Sequence, residues 1–486
     1  MSLTTLPADI LILVLDGLGV LELIALSSTC HKLHSLVSEF GWVGYLRSNP
    51  RPSYGLSSLR PKWSPRCRVQ YDYLTDTAWK NFNFVARPLS RPWKGKLQPT
   101  LAISPSRLVV AAGSTLYSYK FGNLGEGLSP SIHLEGTFSF VEQPHEPSRN
   151  ITGATFVQDG GHDRTLYVAF QDGAIERVML MASEVDGKTA ISATRTIVPS
   201  FPNYDFVESF SFDRDLLLSL SSTGLAKLEN LSASDESSSS IIELKSRSWV
   251  SLLSLNSSTP YAAFGTSSTT PVAIHPITNT QLSSAPSAIL YTDKGVTLPT
   301  DRLPSTAVYG LSHGPLSSPW GSSKEIVVTG WFDGVVRCYD LRSSTRTSLE
   351  GGRTQNSGPI PLRPVMSLSD KWSEEPIYSV SCGGGSSSHI AAGTARHSVV
   401  SFWDVRYPKE GWKVYAPGND SSPVYSVILE SSRFFGVTQS RPFVYDFGPG
   451  LTANTYPPLP HVRGMDGLKQ KKNSLSFTVM TLPHSH

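Results

Sequence analysis

The chain has 486 residues, a formal net charge of +3, and 38 Gly and 35 Pro residues. That length is too great for one simple hydrophobic core, so several domains or a stacked repeat array are expected, and the abundance of turn residues favours a mainly β fold. The small net charge argues against a dedicated nucleic-acid binder, whose affinity comes largely from many phosphate-facing Lys and Arg side chains.

The first predicted element is a helix that follows Pro7, a residue tolerated in the first helical turn. Ile10 and Leu13 recur at helical spacing, and Leu11 and Leu15 widen the apolar stripe to more than one face. A helix that is apolar on two sides needs two surfaces to pack against. Acidic residues interrupt the apolar run and no basic residue precedes it, so neither a signal peptide nor a membrane span is predicted.

Two further helices are predicted, one after Gly19 and one through Cys30. The ordered residues of this segment resemble the F-box family, whose pattern opens with Leu-Pro and closes with Trp. The matching residues are Leu6, Pro7, Ile10, Leu11, Leu15, Leu21, Leu26, Cys30, Leu33, Trp42 and Leu46. The other interpretation of the segment is a helical cap or a dimerisation element.

The resemblance implies a three-helix domain over residues 1–48 that docks onto the Skp-type adaptor of an SCF ubiquitin ligase and, through it, a cullin. Fully buried anchors usually dominate the binding energy of such an interface. The residues implied to bind the adaptor are Leu6, Pro7, Ile10, Leu11 and Leu15.

Residues 49–95 are predicted to be a basic linker. Eleven Lys or Arg residues but only two Asp residues lie between Arg47 and Lys96. Long basic side chains commonly form a solvated surface that covers a groove, and the segment is expected to do the same here.

A recurring unit follows from residue 96 to residue 450. Its clearest copies run from Glu325 to Arg342, from His389 to Arg406 and from Arg433 to Gly448. Each ends in an aromatic residue followed by Asp, and the three Asp residues are separated by 64 and 42 residues. The second spacing is typical of one propeller blade, and the first contains a Ser/Gly/Pro-rich insertion, which is expected in a surface loop.

Four weaker copies upstream bring the predicted number of blades to seven, and ring closure would protect their strand edges. The aromatic-Asp endings, above all Trp403-Asp404, resemble WD repeats, although the usual Gly-His dipeptide is missing. The predicted fold is therefore mainly β with a small α domain: a three-helix F-box followed by a seven-bladed β-propeller. Either residues 79–89 or residues 474–482, in the 451–486 tail, would supply the strand that closes the ring.

One face of the propeller is predicted to bind a partner: the face that displays the turns after each second strand and the start of each first strand. Aromatic and Arg side chains carry much of the energy of protein interfaces, and Arg can bind an acidic or phosphorylated motif. The candidate residues are Trp331, Arg396, His397, Arg441, Tyr309, Tyr378 and Tyr425. The tyrosines, which repeat at one strand position, are also compatible with packing between blades.

No catalytic fingerprint, cofactor motif or metal site is predicted. The four cysteines lie far apart without CxxC spacing, and Cys30, His31 and His34 have no further ligands nearby. Reduced thiols fit a cytoplasmic or nuclear protein.

Three functions are compatible with the sequence. The first is a non-catalytic substrate-recognition subunit of an SCF-type ubiquitin ligase, which binds an adaptor and one or more substrate proteins. The second is a propeller scaffold unrelated to ubiquitin. The third is a propeller hydrolase, which requires ionisable groups that converge on the channel. The sequence favours them in that order and predicts neither nucleic-acid nor membrane partners.

Overall fold

The computed structural model describes residues 3–122, 129–141, 149–185, 188–202, 205–232, 239–292, 305–343, 358–370, 373–418 and 421–458. Part of the predicted insertion after Ser343 and the candidate closing strand at residues 474–482 lie outside these ranges.

Helices form the first 80 residues of the described chain. They are α1 (Ala8–Asp16), α2 (Val20–Ser27), α3 (His31–Leu36), α4 (Trp42–Ser48) and α5 (Pro65–Lys80). A π-helical turn (Val37–Gly41) joins α3 to α4, and single 3-10 turns span Leu3–Thr5, Arg60–Lys62 and Ala453–Thr455. The side chain of Ser64 caps α5 by accepting a hydrogen bond from the Cys67 amide, and Pro65 occupies the first turn.

The strands are numbered in chain order. The first ten are β1 (Val85–Pro88), β2 (Thr100–Ile103), β3 (Arg107–Ala112), β4 (Thr115–Phe121), β5 (Ile132–Ser139), β6 (Ile151–Phe156), β7 (Thr165–Phe170), β8 (Ile175–Val185), β9 (Lys188–Val198) and β10 (Val207–Asp213). The next ten are β11 (Leu216–Ser221), β12 (Leu225–Asn230), β13 (Ser240–Glu243), β14 (Ser248–Ser254), β15 (Tyr261–Ser268), β16 (Val272–Thr278), β17 (Gln281–Leu282), β18 (Ala288–Leu290), β19 (Thr306–His313) and β20 (Ile326–Trp331). The last ten are β21 (Val336–Asp340), β22 (Ile360–Leu362), β23 (Met366–Leu368), β24 (Ile377–Gly383), β25 (His389–Thr394), β26 (Val399–Asp404), β27 (Gly411–Tyr415), β28 (Val424–Leu429), β29 (Arg433–Thr438) and β30 (Pro442–Asp446).

The strands form a propeller-like arrangement, but the prediction of seven separate blades is wrong. Five sheets are separate and four-stranded: β2–β5, β6–β9, β10–β13, β24–β27, and β28–β30 with β1. The remaining strands, from β14 to β23, form one ten-stranded sheet. The physical reason is that β15 continues past its own hairpin and pairs Ser267 with Ala307 and Ser268 with Thr306 of β19, which joins two antiparallel groups.

The first strands of the sheets surround a central channel. In chain order β2, β6, β10, β14, β19, β24 and β28 each contact the next, and β28 contacts β2, so the ring is closed. Of the two predicted segments, residues 79–89 supply the closing strand. Strand β1 pairs antiparallel with β30, from Val85 opposite Asp446 to Pro88 opposite Phe443. Middle strands such as β3, β7, β20, β25 and β29 are buried along their whole length, which explains their runs of small and β-branched residues.

Helix α5 lies within the predicted linker and connects the helical domain to the propeller. Its Val69 packs in the helical core with Leu15, Leu23 and Trp42. Its Trp79 packs in the core formed by the two sheets that contain β26 and β29. Because one helix contributes to both cores, the helical domain is attached to the propeller through packed side chains and not through a flexible linker.

Buried polar contacts reinforce this junction. The guanidinium of Arg51 donates to both Asp76 carboxylate oxygens at 2.6 and 2.7 Å and to the Gly385 carbonyl at 2.6 Å. Arg60 holds Asp72 through two further bonds, at 2.8 and 2.7 Å. Two of the basic residues predicted to be solvated are therefore structural ion-pair partners of α5.

The chain between α4 and α5 crosses the end of the channel. The Ser431 amide donates to the Pro52 carbonyl at 3.0 Å, and the Gly55 amide donates to the Glu430 carboxylate at 2.6 Å. Glu430 is fully buried, and this burial raises its pKa to about 7 despite the nearby Arg433 guanidinium.

The raised pKa of Glu430 predicts a pH-dependent stability. Between pH 4.5 and 7 the carboxyl is ionised in the unfolded chain but protonated in the folded protein, so folding loses stability as the pH rises through this window. The Glu430→Gln variant lacks this group and should gain about 3 kcal/mol relative to the wild type over the same interval. Urea unfolding at a series of pH values, with the exposed Glu410→Gln variant as control, checks this. Parallel stability curves for the wild type and the Glu430→Gln variant would contradict it.

Candidate functional site

Helix α1 has one buried and one exposed apolar face. Leu11 and Leu15 are only 2% exposed, and Leu15 packs against Leu23 and Val37. The prediction that Leu11 and Leu15 bind a partner stays a prediction, and it is not favoured by this fold because both side chains are buried in the core of their own domain. They form the inner face that holds the helices together.

The exposed face of α1 carries the apolar residues that remain available to a partner. Ile10 is 42% and Leu13 is 68% exposed, Pro7 is exposed, and Leu6 is half-buried. Large apolar side chains grouped on a surface commonly mark an interaction site. The other exposed large apolar residues of this domain are Leu3, Val14, Leu21, Ile24, Phe40 and Val43.

The second candidate surface is the channel. Its cavity has a volume of about 920 Å³ and is lined by the seven innermost strands named above. Pro52, Ser53, Tyr54 and Ser57 line it as well, at the end where these strands terminate. A ligand would therefore enter from the opposite end, where the strands begin.

A repeated β-bulge aims one side chain from each of six inner strands into the cavity. The register with the neighbouring strand shifts across one residue in β6, β10, β14, β19, β24 and β28. Bulges re-aim the side chain of the extra residue, and they recur beside functional sites. The bulged residues, all of which line the cavity, are Thr152, Glu208, Trp249, Tyr309, Tyr378 and Tyr425.

Four of these residues form a continuous aromatic arc: Trp249, Tyr309, Tyr378 and Tyr425. Successive ring centroids are 5.0, 5.2 and 6.1 Å apart, and the first two contacts are edge-to-face. These distances fall in the range of favourable aromatic pairs. The arc therefore lies on one side of the channel opening, across four neighbouring inner strands.

The polar groups beside the arc neutralise one another. Arg247 donates to the Glu208 carboxylate at 2.8 Å, and its guanidinium lies 4.2 Å from the Trp249 ring centroid. Burial raises the pKa of Glu208, and Arg247 opposes that shift. The indole N–H of Trp249 donates to the Ser267 hydroxyl at 2.7 Å, which fixes the ring.

The structure brings together only some of the residues predicted on the propeller face. The three tyrosines line the cavity, whereas Arg396, His397 and Arg441 do not. Arg396 and His397 lie on the exposed turn after β25, where His397 is 3.6 Å from Glu375. These three residues stay predictions, outside the lining of the cavity.

The prediction that Trp331 binds a partner stays a prediction, and the burial of this residue does not favour it. Its side chain is 0% exposed, and its indole N–H donates to the Thr329 hydroxyl. Arg337 covers its ring at 4.9 Å. Trp331 ends a middle strand whose residues all face packed neighbours, so it stabilises the core.

Trp249 and Glu208 were not predicted. They occupy the same bulged position as the repeated tyrosines, but the strands that carry them belong to the weakly repeated copies. Aligning the first strands as well as the aromatic-Asp endings would have found them.

The carboxylate and the histidine that line the cavity lie far apart. Glu208 lies at the start of β10, whereas His313 lies at the far end of β19, roughly 13 Å along the strand from the arc. Burial lowers the pKa of His313 to about 4 and raises the pKa of the Cys382 thiol to about 12, which leaves the histidine uncharged and the thiol unreactive at neutral pH.

Within the part of the chain that the structure describes, no three His, Cys, Asp or Glu residues are arranged to hold a metal ion. In the same ranges, no helix has the length and apolar character needed to cross a membrane.

The family model of the F-box domain matches residues 3–41. The chain thus has an F-box domain followed by a propeller-like β arrangement, which is consistent with an F-box protein that has a WD-like propeller. The resemblance stated from the sequence is confirmed. F-box domains generally bind Skp-type adaptors, and F-box proteins with propellers are in general substrate receptors.

Two solved structures resemble this chain at low sequence identity. The Sqt1 protein of Chaetomium thermophilum, bound to the N-terminus of the ribosomal protein L10, is 14% identical with a TM-score of 0.45, over 71% of this chain and 83% of that one. The computationally designed protein Ika8 is 13% identical with a TM-score of 0.42, over 74% of this chain and 99% of that one. No curated protein matches the chain.

Proposed function

We propose that this protein is the substrate-recognition subunit of an SCF-type ubiquitin ligase. Its F-box docks onto the Skp-type adaptor, which in turn binds a cullin, and its propeller binds the protein to be ubiquitinated. The chain itself makes and breaks no bond in this scheme, because it contributes proximity. The cytoplasm or the nucleus is the location that fits this role.

The observation that carries the proposal is the exposed apolar face of α1 and α2 on a domain whose core is already complete. Leu23 and Trp42 are buried in that core, while Leu13 and Leu21 face outward. Exposed apolar side chains cost solubility unless a partner covers them. A scaffold unrelated to ubiquitin would bind a different protein through its helices, so the identity of the protein that binds this face separates the two functions.

The fixed attachment of the F-box also supports the proposal. A receptor must hold its substrate at a defined distance from the ubiquitin-loading enzyme, and α5 is packed into both the helical core and the propeller core. A rigid connection preserves that distance because neither domain can turn freely on the other.

The proposal predicts that adaptor binding depends on the outer face of α1. The double variant Ile10→Ser, Leu13→Ser should weaken binding to the purified Skp-type adaptor by at least about 100-fold, because each buried apolar anchor contributes about 2 kcal/mol. Both side chains are exposed in the free chain, so the melting temperature should stay unchanged.

Calorimetric titration with the adaptor, together with mass spectrometry of proteins that co-purify with the full chain, measures this effect. The control is Leu134→Ser, a similarly exposed apolar site on β5 of the propeller. Absence of the adaptor and a cullin from the wild-type purification, or equal binding by the double variant, would remove the ligase assignment and favour a scaffold.

A further inference from the structure

We propose that the aromatic arc is the site at which the propeller binds its partner, and that it binds a neutral ring-bearing side chain, proline or aromatic, from an extended segment of that partner. This proposal rests on the proposed function, because that function assigns partner binding to the propeller.

The arc is built to present rings to the channel. The four residues that form it each occupy a β-bulge, so their side chains point into the cavity and not into the packed layers between sheets. Tyr309, Tyr378 and Tyr425 are half-buried, which leaves part of each ring open to a ligand. Aromatic-lined grooves bind proline-rich and aromatic segments because flat rings stack at a low entropic cost.

The charged pair beside the opening carries no net charge. Arg247 lies 2.8 Å from Glu208, and although its side chain is 37% exposed, the carboxylate balances its charge and holds part of its donors. The other bulged residues, Thr152 and the tyrosines, are neutral. The remaining lining residues that can carry charge, His313 and Lys324, lie towards the opposite end of the cavity.

The shape of the cavity favours insertion of a side chain. Residues 52–57 cover the end at which the inner strands terminate, and the hydrogen bonds of Gly55 and Pro52 to the loop after β28 hold them there. A peptide therefore cannot thread through the ring. It would lie across the opening and place one ring against the arc, as a hot-spot residue does in a pocket.

A competing site lies at the edge of the same face. Arg91 and Lys94 line a groove of about 500 Å³ whose other lining residues include hydroxyls and Asn150 but no carboxylate. This groove would take an acidic or phosphorylated segment, and the experiment separates it from the arc.

The test is selection from a random linear-peptide library by the purified full chain, beside the double variant Tyr309→Ala, Tyr378→Ala. A parallel selection uses the same library after treatment with a tyrosine kinase. The matched control is Tyr407→Ala, Tyr415→Ala, which removes two exposed tyrosines outside the cavity. Dissociation constants of the selected peptides are then measured by fluorescence polarisation.

The expected result is a consensus with a proline or an aromatic residue and no requirement for acid. Affinity should fall at least about 10-fold in the Tyr309→Ala, Tyr378→Ala variant and stay within about 2-fold in Tyr378→Phe and in the control. It should also change less than about 2-fold between roughly 0.1 and 0.5 M NaCl, since a neutral contact is not screened.

Three outcomes would overturn the proposal. The selection recovers no peptide, or it gives an acidic or phosphotyrosine consensus, or the affinity is lost in the Arg91→Ala, Lys94→Ala variant but kept in the Tyr309→Ala, Tyr378→Ala variant. Adaptor binding is measured on the same variants. If the wild type binds peptide but not the adaptor, the ligase role is removed and the proposed peptide site is kept. If the wild type binds the adaptor but no peptide, only the proposed peptide site is removed.

Discussion

The Asp446→Ala variant is expected to lose about 3–5 kcal/mol of the free energy of unfolding, because it breaks a fully buried ion pair. Asp446 and Arg433 form an ion pair at 2.8 Å, and both side chains are 0% exposed. Arg433 also donates to the Pro130 carbonyl, and Tyr456 donates to Asp446. Removal of the carboxylate leaves the guanidinium buried without its anion, and an arginine side chain stays protonated in proteins even then.

Urea unfolding followed by circular dichroism measures this loss. The double variant Arg433→Met, Asp446→Leu should recover most of it, because neither charge of the pair is left buried without its partner. The matched control is Asp340→Ala, which breaks the more exposed pair with Arg342 and should cost less than about 1 kcal/mol. Equal losses at Asp446 and Asp340 would show that burial of the first pair has no energetic consequence.

The Trp79→Ala variant should lose about 3–5 kcal/mol by leaving a cavity between α5 and the propeller. The Trp79 ring stacks on Phe447 at 3.7 Å, contacts the His389 ring at 4.5 Å and donates its indole N–H to the Ser431 carbonyl at 3.0 Å. Because α5 carries the contacts between the two domains, the same change should also expose the junction to proteases.

Thermal unfolding and limited proteolysis test this prediction, with Tyr73→Ala as control. Tyr73 lies on the same helix but is exposed, so its truncation should cost less than about 0.5 kcal/mol. Cleavage between α4 and β1 at the same rate in Trp79→Ala and in the wild type would mean that the junction does not depend on this ring.

The sequence predicted the kind of each domain but not which face of the first helix is free. Ile10 and Leu11 are neighbours, so they cannot share a face, yet both fit the family pattern equally well. Only the packing of Leu15 against Leu23 and Val37 decides that the Leu11 side is internal. The exposed residue Leu13 was visible at helical spacing from Ile10, but spacing alone does not tell the inner stripe from the outer one.

The repeat pattern located the strands better than it located the sheet boundaries. Aromatic-Asp endings identify the third strand of a blade, but the pairing of Ser267 with Ala307 depends on how far β15 extends beyond its hairpin, which no local motif encodes. Similarly, Trp331 looked like a surface aromatic because a turn follows it, whereas the structure buries it beneath Arg337.

The candidate site was predicted in part. The repeated tyrosines were found because they recur at one strand position, but the β-bulges that turn them toward the channel are a property of strand pairing and not of single residues. The Glu208–Arg247 ion pair was likewise invisible in the sequence. Glu208 lies on β10 and Arg247 directly precedes β14, so the two residues meet only when the sheets that contain these strands pack together.

The pairing of β1 with β30 also sets an order of events during synthesis. Residues 3–41, which match the F-box model, are synthesised before the propeller, whereas the last sheet is complete only when Asp446 has been synthesised and can pair with Val85. Such distant pairing is slow, because a long loop has to close before any contact forms. On the proposed function, a chain that ends between α5 and residue 446 keeps the helices of the F-box domain but has no closed propeller, so it should bind the adaptor and present no substrate.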